Sequence, residues 1–256
     1  MMAQLEITTR CNFDCFYCAG RQMRQGDMPY DKFTALLDQH IAAYGVPKVV
    51  SLQGEGEPTL HHDFLRMAEF VRVRGATPYT ITNGTYKHPE RLAGLFPEIG
   101  VSIDTLDDAA ARKIGRYNLA RVLSFVEALA SHVTIVIHSV AHKEHTPPIA
   151  NWCRRQGYRH VVQPLQTKPD YSRRYSSGPP PRAPQAGFSC GYLANPRMRY
   201  YTLDGLELPC CFIKDTSEYE GMPAMLHHQQ AGTCPKCCVG CRYALRSLPS
   251  AAARAH

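Results

Sequence analysis

Apolar positions along this chain follow two patterns that take turns. Short runs with period-two or continuous β-branched character predict strands at Leu5–Thr9, Lys48–Gln53, Thr77–Thr82, Gly100–Asp104, Val133–His138 and Tyr158–Pro164. Between them, apolar residues at helical spacing predict helices. The first covers Met28–Tyr44, with Phe33, Leu36, Leu37 and Ile41 on one face, and Gly45 stops it. Others are expected at Phe64–Val73, ended by Gly75, at Glu90–Phe96 and at Pro148–Gln156. Residues 107–130 read as mainly helical, with Leu119, Val122, Leu123, Val126 and Leu129 forming the buried face. Strands alternating with helices at roughly 30-residue spacing specify a parallel α/β sheet with right-handed crossovers. Six such units within about 160 residues fall short of a closed eightfold barrel, and ligands in such folds gather at the C-terminal strand ends.

The rhythm stops after the sixth strand. Residues 1–165 form the α/β part, and 166–188 a Pro- and Ser-rich linker or active-site loop. Residues 189–247 form a cysteine-rich module, and 248–256 a tail. Within the module, Arg199–Leu203, the turn Asp204-Gly205 and Leu206–Leu208 predict a β-hairpin between Cys190 and the pair Cys210-Cys211. Cys234, Cys237, Cys238 and Cys241 close it.

Composition narrows the setting. Apolar content of 44% and charged content of 20% in 256 residues suit a globular domain. No apolar run reaches the roughly 18 residues of a membrane helix, and no signal peptide is apparent, so the expected compartment is the cytoplasm. The formal charge of +7 is scattered over Arg21, Arg24, Arg72, Arg74, Arg173, Arg174, Arg197 and Arg199. This is a solvated basic surface, or a face for an acidic substrate, without the aromatic-interleaved stripe of a nucleic-acid binder. The 11 cysteines cluster at metal-like spacings, which reads as ligation and not as a disulfide framework.

The candidate chemistry centres on Cys11, Cys15 and Cys18, spaced Cys-x3-Cys-x2-Cys just after the first strand. Three thiolates can hold three irons of a [4Fe–4S] cluster and leave the fourth open to a reactive ligand. The alternative is a structural zinc knuckle. Further motifs fall at successive strand ends: Gly54-Glu-Gly56-Glu57-Pro58, Thr82-Asn83-Gly84 and Ser102-Ile-Asp104.

These motifs resemble the radical S-adenosylmethionine (SAM) superfamily. The resemblance implies a partial (β/α)6 barrel, and a cluster whose open iron takes the amino and carboxylate groups of SAM. Tyr17, Gly56, Glu57, Pro58, Asn83, Ser102 and Asp104 then border the cofactor. Arg112 or Arg116 would pair with its carboxylate, and Gln163 would face the same mouth. The stretch Cys190-x14-Gly205-x4-Cys210 is similar to the opening of SPASM/Twitch extensions. That implies one auxiliary iron–sulfur cluster held by Cys190, Cys210, Cys238 and Cys241, or in the other register by Cys234 and Cys237. A zinc ribbon is the alternative.

The resemblance further implies reductive cleavage of SAM and hydrogen-atom abstraction from a substrate C–H bond, with a flavodoxin or ferredoxin as electron donor. The expected reaction is epimerisation or oxidation of a carbinol carbon in a sugar or aminocyclitol. Cys211 is the candidate hydrogen donor, and Cys153 on a helix reads as core. Modification of a ribosomally made peptide is the second reading, and a chain that opens directly on the first strand argues against it. A non-catalytic metal-binding protein is a distant third. Neither nucleic acid nor membrane is an expected partner.

Overall fold

The computed structural model describes residues 1–141, 144–166, 188–214, 216, 221–231 and 241–246. They belong to two units: Met1–Leu165 with Tyr201–Leu206, and Gln166–Tyr200 with Glu207–His256.

In the first unit, side-chain alternation along the opening strand sets the two faces of the sheet. Ala3, Leu5 and Ile7 are fully buried and join one core with Phe33, Leu37, Val50, Leu52, Phe64 and Met67. Truncating one such large side chain to alanine typically costs about 3–5 kcal/mol. The alternate residues Gln4, Glu6 and Thr8 are also buried but polar, and each is hydrogen-bonded. A half-apolar, half-polar strand of this kind has a helix layer on one side and a functional interior on the other.

Strands β1 (Met2–Leu5), β2 (Val49–Ser51) and β3 (Thr77–Tyr79) pair in parallel, with Ala3 opposite Val50 and Val50 opposite Pro78. Strands β4 (Ile81–Thr82), β5 (Glu98–Ser102), β6 (Thr134–Val140) and β7 (Arg159–Gln163) form a second parallel ladder. One residue, buried Thr80, joins the ladders. The Tyr79 carbonyl still accepts Leu52 N–H at 2.9 Å, whereas the Thr80 carbonyl accepts Gly100 N–H at 2.9 Å. The chain therefore changes partner sheet at Thr80, and β3 and β4 are one bent strand. Counted that way, the parallel strands among the described residues number six, in sequence order, as the periodicity predicts.

Helices α1 (Tyr30–Tyr44), α2 (Phe64–Val73), α3 (Glu90–Ala93), α4 (Asp108–Ile114), α5 (Leu119–Ala130) and α6 (Thr146–Gln156) form the crossovers. Two expectations need correction. The first strand ends at Leu5, not Thr9, because the backbone beyond it bonds elsewhere. Met28 N–H donates to Ile7 O at 2.8 Å and Thr9 N–H to Gly26 O at 3.0 Å. The long helix over 107–130 is two helices, since Gly115 (φ +91°) and Asn118 (φ +59°) are both left-handed.

In the second unit, β8 (Phe188–Cys190) pairs antiparallel with β11 (Ala244–Arg246), placing Cys190 opposite Ala244. The expected hairpin forms from β9 (Met198–Tyr201) and β10 (Glu207–Leu208). Gly205 (φ +89°) turns it, donating to Thr202 O at 2.8 Å. The tip, Tyr201–Leu206, counts with the first unit. Residues 167–187 of the expected linker lie outside the described residues.

Candidate active site at the strand ends

The cysteine loop leaves the first strand and is clamped to the end of α4. Asp14 N–H donates to Gly115 O and Phe16 N–H to Ile114 O, each at 3.0 Å. A Cβ on Gly115 would lie 2.0 Å from Asp14 O, so only glycine admits this approach. Within the loop, Cys18 N–H donates to Cys15 O at 3.0 Å, and Phe13 N–H to Cys11 Sγ at 3.4 Å.

The Gly54–Pro58 loop lies flush against this segment. A Cβ on Gly56 would sit 2.5 Å from Thr8 O, and one on Gly54 would sit 2.3 Å from Glu6 Cγ. Glu57 N–H donates to Arg10 O at 2.7 Å. The two acids of the loop have different tasks. Glu55 Oε2 accepts Gly20 N–H at 3.2 Å and lies 3.6 Å from Cys18 Sγ. Glu57 is buried and faces the next strand end. Its Oε1 accepts the hydroxyls of Thr82 at 2.6 Å and Thr59 at 2.7 Å, and its Oε2 accepts Asn83 N–H at 2.6 Å. Burial raises its pKa above the ordinary carboxylate value, and those donors counter the rise. As placed, Glu57 ties the second strand end to the third. Pro58 opens the short 3-10 turn behind it and is buried.

Asn83 Nδ2 donates to Asn12 Oδ1 at 2.7 Å and stands 4.0 Å from Cys11 Sγ. From the next strand end, Asp104 joins Tyr17 and Arg116 in a buried triad. Asp104 Oδ1 accepts Val140 N–H at 2.7 Å, and Oδ2 accepts Arg116 Nε at 2.6 Å together with the Tyr17 hydroxyl. Arg116 Nη2 donates to that hydroxyl at 2.7 Å, and Nη1 to Ser102 O at 3.2 Å. Burial pushes the Tyr17 pKa well above its ordinary value, so the hydroxyl keeps its proton and donates it to Asp104. Tyr17 immediately precedes Cys18, so the triad anchors the loop's far end to the barrel.

Not every expected residue is gathered in. Arg112 is 60% exposed and pairs with Asp108 at 2.8 Å along its own helix. Gln163 is exposed on β7, and its carbonyl accepts Ala141 N–H at 2.7 Å. Cys153 is 1% exposed in the core, where burial raises its thiol to about 11. Four residues that the sequence patterns left unassigned belong to the site: Glu6, Asn12, Glu55 and Arg21. Glu6 Oε1 accepts Glu55 N–H at 3.0 Å and its Oε2 accepts Leu203 N–H at 3.3 Å. Its signal was there to read, as an acid on the polar face of an apolar alternating strand.

Burial raises the thiol pKa at Cys11, Cys15 and Cys18, the last to about 12, with Glu55 adding to the rise at Cys18. Metal loading must therefore displace protons from all three. A single zinc ion with donors at about 2.3 Å keeps any two of them within roughly 4.6 Å. Among the described residues, the donor group converging within 4.8 Å is Asp27, His61 and His62, and the three sulfurs are not such a group. Wider-spaced sulfurs suit a multi-iron cluster. The Asp27 group is already committed to the protein. Asp27 accepts from Thr8 and Arg10, while His61 bonds Met28 O at 2.9 Å and accepts Asp63 N–H at 3.0 Å.

In the second unit, Cys190 and Cys210 are buried, and Cys211 and Cys241 half-buried. Aromatic contacts bring their neighbours together: Phe212–Tyr243 and Tyr192–Tyr243 at 5.1 Å, and Tyr192–Phe212 at 6.1 Å. Gly191 N–H donates to Tyr243 O at 3.1 Å, and Ala244 N–H to Cys241 O at 3.2 Å. The Tyr192 pKa is raised by burial and by the adjacent Cys211 and Cys210. Cys234, Cys237 and Cys238 lie outside the described residues.

A parallel α/β barrel carrying a three-cysteine loop over its strand ends, with glycine and polar motifs converging on it, defines a cluster-dependent enzyme core. Residues 5–148 match the family model of the radical SAM superfamily, and the chain belongs to that superfamily. A tungsten-containing aldehyde ferredoxin oxidoreductase cofactor-modifying protein of Pyrococcus furiosus is 39% identical over 101 residues, 39% of this chain and 28% of its own. An S-adenosylmethionine-dependent nucleotide dehydratase of Selenomonas ruminantium is 25% identical over 136 residues, 51% of this chain and 49% of its own. The chain thus spans half or less of the length of these two relatives. A probable GTP 3′,8-cyclase of Methanococcus maripaludis is 27% identical over 85% of this chain and 78% of its own. Among solved structures, Streptococcus suis SuiB bound to S-adenosylmethionine superposes with a TM-score of 0.64 at 15% identity, covering 82% of this chain and 60% of SuiB. BtrN in complex with AdoMet and 2-DOIA superposes with a TM-score of 0.51 at 17% identity, covering 90% of this chain and 80% of BtrN. Among the described residues, no helix is long and apolar enough to cross a membrane.

Proposed function

We propose that this radical SAM enzyme holds a [4Fe–4S] cluster on Cys11, Cys15 and Cys18 and oxidises or epimerises a carbinol carbon of a sugar or aminocyclitol. The observation that carries the core of this reading is the joining of the cysteine loop to three strand ends through Glu55, Asn83 and the Tyr17–Asp104–Arg116 triad. When bound, the cluster and SAM supply the electron and the 5′-deoxyadenosyl group for hydrogen-atom abstraction. The chain's own residues bind and orient. Gly54 and Gly56 let their loop pack flush against Glu6 and the Thr8 and Arg10 backbone that leads into the cysteine loop, and Asn83 presents an amide beside Cys11. Asp104 and Arg116 fix Tyr17 while burying their own charges against each other. Ser102 and Pro58 border the same strand-end floor.

Cys190, Cys210 and Cys241, with Cys238 as fourth ligand, hold one auxiliary iron–sulfur cluster in this reading. Convergence of residues 190–192, 210–212 and 241–243 supports it, through the described member Cys241. When bound there, such a cluster would supply an acceptor for the one electron that a carbinol radical must lose, together with a proton, to become a carbonyl. In an epimerisation, Cys211 would return a hydrogen atom and be left as a thiyl radical, restored to the thiol by one electron from the external donor and a proton from solvent. Flavodoxin or ferredoxin is the proposed donor of the first electron. Peptide modification is the second reading, favoured by the likeness to SuiB bound to the precursor peptide SuiA, with a TM-score of 0.65. The test is turnover by the anaerobically reconstituted chain with SAM and dithionite, offered either aminocyclitols or peptides. Deuterium carried from a labelled carbinol into 5′-deoxyadenosine supports the first reading. Deuterium carried only from a labelled peptide replaces it with the second.

A further inference from the structure

Arg21 stands on the short turn Ala19–Gln22 that directly follows Cys18. Its guanidinium is fixed from two sides. Nη2 donates to Thr9 O at 2.9 Å and to Glu55 O at 3.4 Å, and Nη1 donates to Gln25 Oε1 at 3.3 Å. The third arm is different: Nε is buried and has no acceptor among the described residues. Leaving a buried donor of a charged group unmatched is costly, so this position calls for an acceptor that the described residues do not provide. Its positive charge stands close to Cys18: the Glu55 carbonyl that accepts Nη2 also lies 3.7 Å from Cys18 Sγ. Glu55 works against it, with a carboxylate oxygen 3.6 Å from Cys18 Sγ.

A cluster gains one negative charge on reduction. A neighbouring cation, or an N–H donated to a cluster sulfur, stabilises the reduced state and raises the potential. We propose that Arg21 tunes the reduction potential of the cluster held by Cys11, Cys15 and Cys18, through its charge and its buried Nε–H. Glu55 is the opposing element. The inference rests on the cluster reading above. It makes Arg21 a residue that governs how readily an external one-electron donor primes SAM cleavage, and not a residue that touches substrate.

The test is an EPR-monitored redox titration of the full reconstituted chain. The cluster in question is identified as the one whose signal changes when SAM is added. Arg21→Gln is expected to lower the ratio of reduced to oxidised cluster at a fixed potential about tenfold, which is about 59 mV for one electron. Arg21→Lys, which keeps the charge and loses Nε–H, is expected to fall between that variant and wild type, and Glu55→Gln to shift the opposite way. A wild-type potential in Arg21→Gln with the cluster assembled overturns the proposal and leaves the cluster reading intact. If Arg21→Gln fails to assemble, Arg21→Lys and Glu55→Gln decide, and no shift in either overturns it. A wild-type chain without iron and sulfide overturns both readings together.

Discussion

Gly115 offers a direct way to ask whether α4 holds the cysteine loop in place. Two costs attach to Gly115→Ala. The first is conformational: at φ +91° an L-residue is strained, by about 1–2 kcal/mol. The second is steric. The new methyl would lie 2.0 Å from Asp14 O and 3.0 Å from Cys15 N, all backbone atoms that cannot rotate away. Relief requires the loop to move by an ångström or so, and forced shifts of this kind cost about 1–3 kcal/mol. Gly157 is the matched control. It has a similar φ of +74°, yet nothing lies within 4 Å of its Cβ position. Gly157→Ala should therefore cost about 1 kcal/mol and Gly115→Ala about 3 kcal/mol. Urea unfolding followed by circular dichroism measures the difference, and iron content after reconstitution reports on the loop. The expected outcome is a larger midpoint shift and reduced iron only in Gly115→Ala. Equal midpoints and equal iron in the two variants would refute the clamp.

Three further outcomes separate parts of the account. Arg116→Ala breaks a buried pair with Asp104 and should slow 5′-deoxyadenosine formation by about tenfold or more, equivalent to about 1.4 kcal/mol. Arg112→Ala, exposed on α4 just before the Gly115 turn, should leave the rate unchanged in the same chromatographic assay. His138 bonds the Tyr79 hydroxyl at 3.0 Å, and burial depresses its pKa to about 4. The unfolded state then binds more protons than the native one between about pH 4 and 6.5, so stability falls as pH drops through that window, by about 1 kcal/mol per unit at most. Urea midpoints at pH 7 and pH 5 should show that fall in wild type and a smaller one in His138→Phe. Cys190→Ala should remove about four irons per chain and leave the cleavage of SAM measurable. Loss of zinc in place of iron would assign the second unit to a zinc ribbon.

Period and spacing were enough to read the barrel. The six strand positions, the crossover helices and the hairpin around Gly205 follow from alternation, helical spacing and an Asp-Gly turn. Long-range competition for backbone partners was harder to read. Ile7 and Thr9 look like strand residues, yet their carbonyl and N–H bond the segment 26–28. Gly115 and Asn118 interrupt a continuous apolar face, because the first must meet Asp14 in three dimensions. Motif position drew attention to Asn83 and Asp104, which sit at strand ends where direction is set by the pleat and lie beside the cysteine loop. The choice between Arg112 and Arg116 was left open, since the left-handed Gly115 that ends α4 turns one into a buried ion pair and leaves the other in a solvent one. Arg21, read as part of a scattered basic surface, and Glu55, read as one position of the Gly54–Pro58 loop, were given no role of their own for a different reason. Their importance comes from the groups they leave unmatched or bring near sulfur, and no spacing rule encodes that.

The central claim is that the three-cysteine loop supports reductive cleavage of SAM. Wild-type chain and a Cys11→Ala, Cys15→Ala, Cys18→Ala variant, reconstituted anaerobically and given SAM and dithionite, test it most directly. The account predicts 5′-deoxyadenosine from wild type with about eight irons per chain, and none from the variant, which retains about four. 5′-Deoxyadenosine from the triple variant, or none from an iron-loaded wild type, would contradict it.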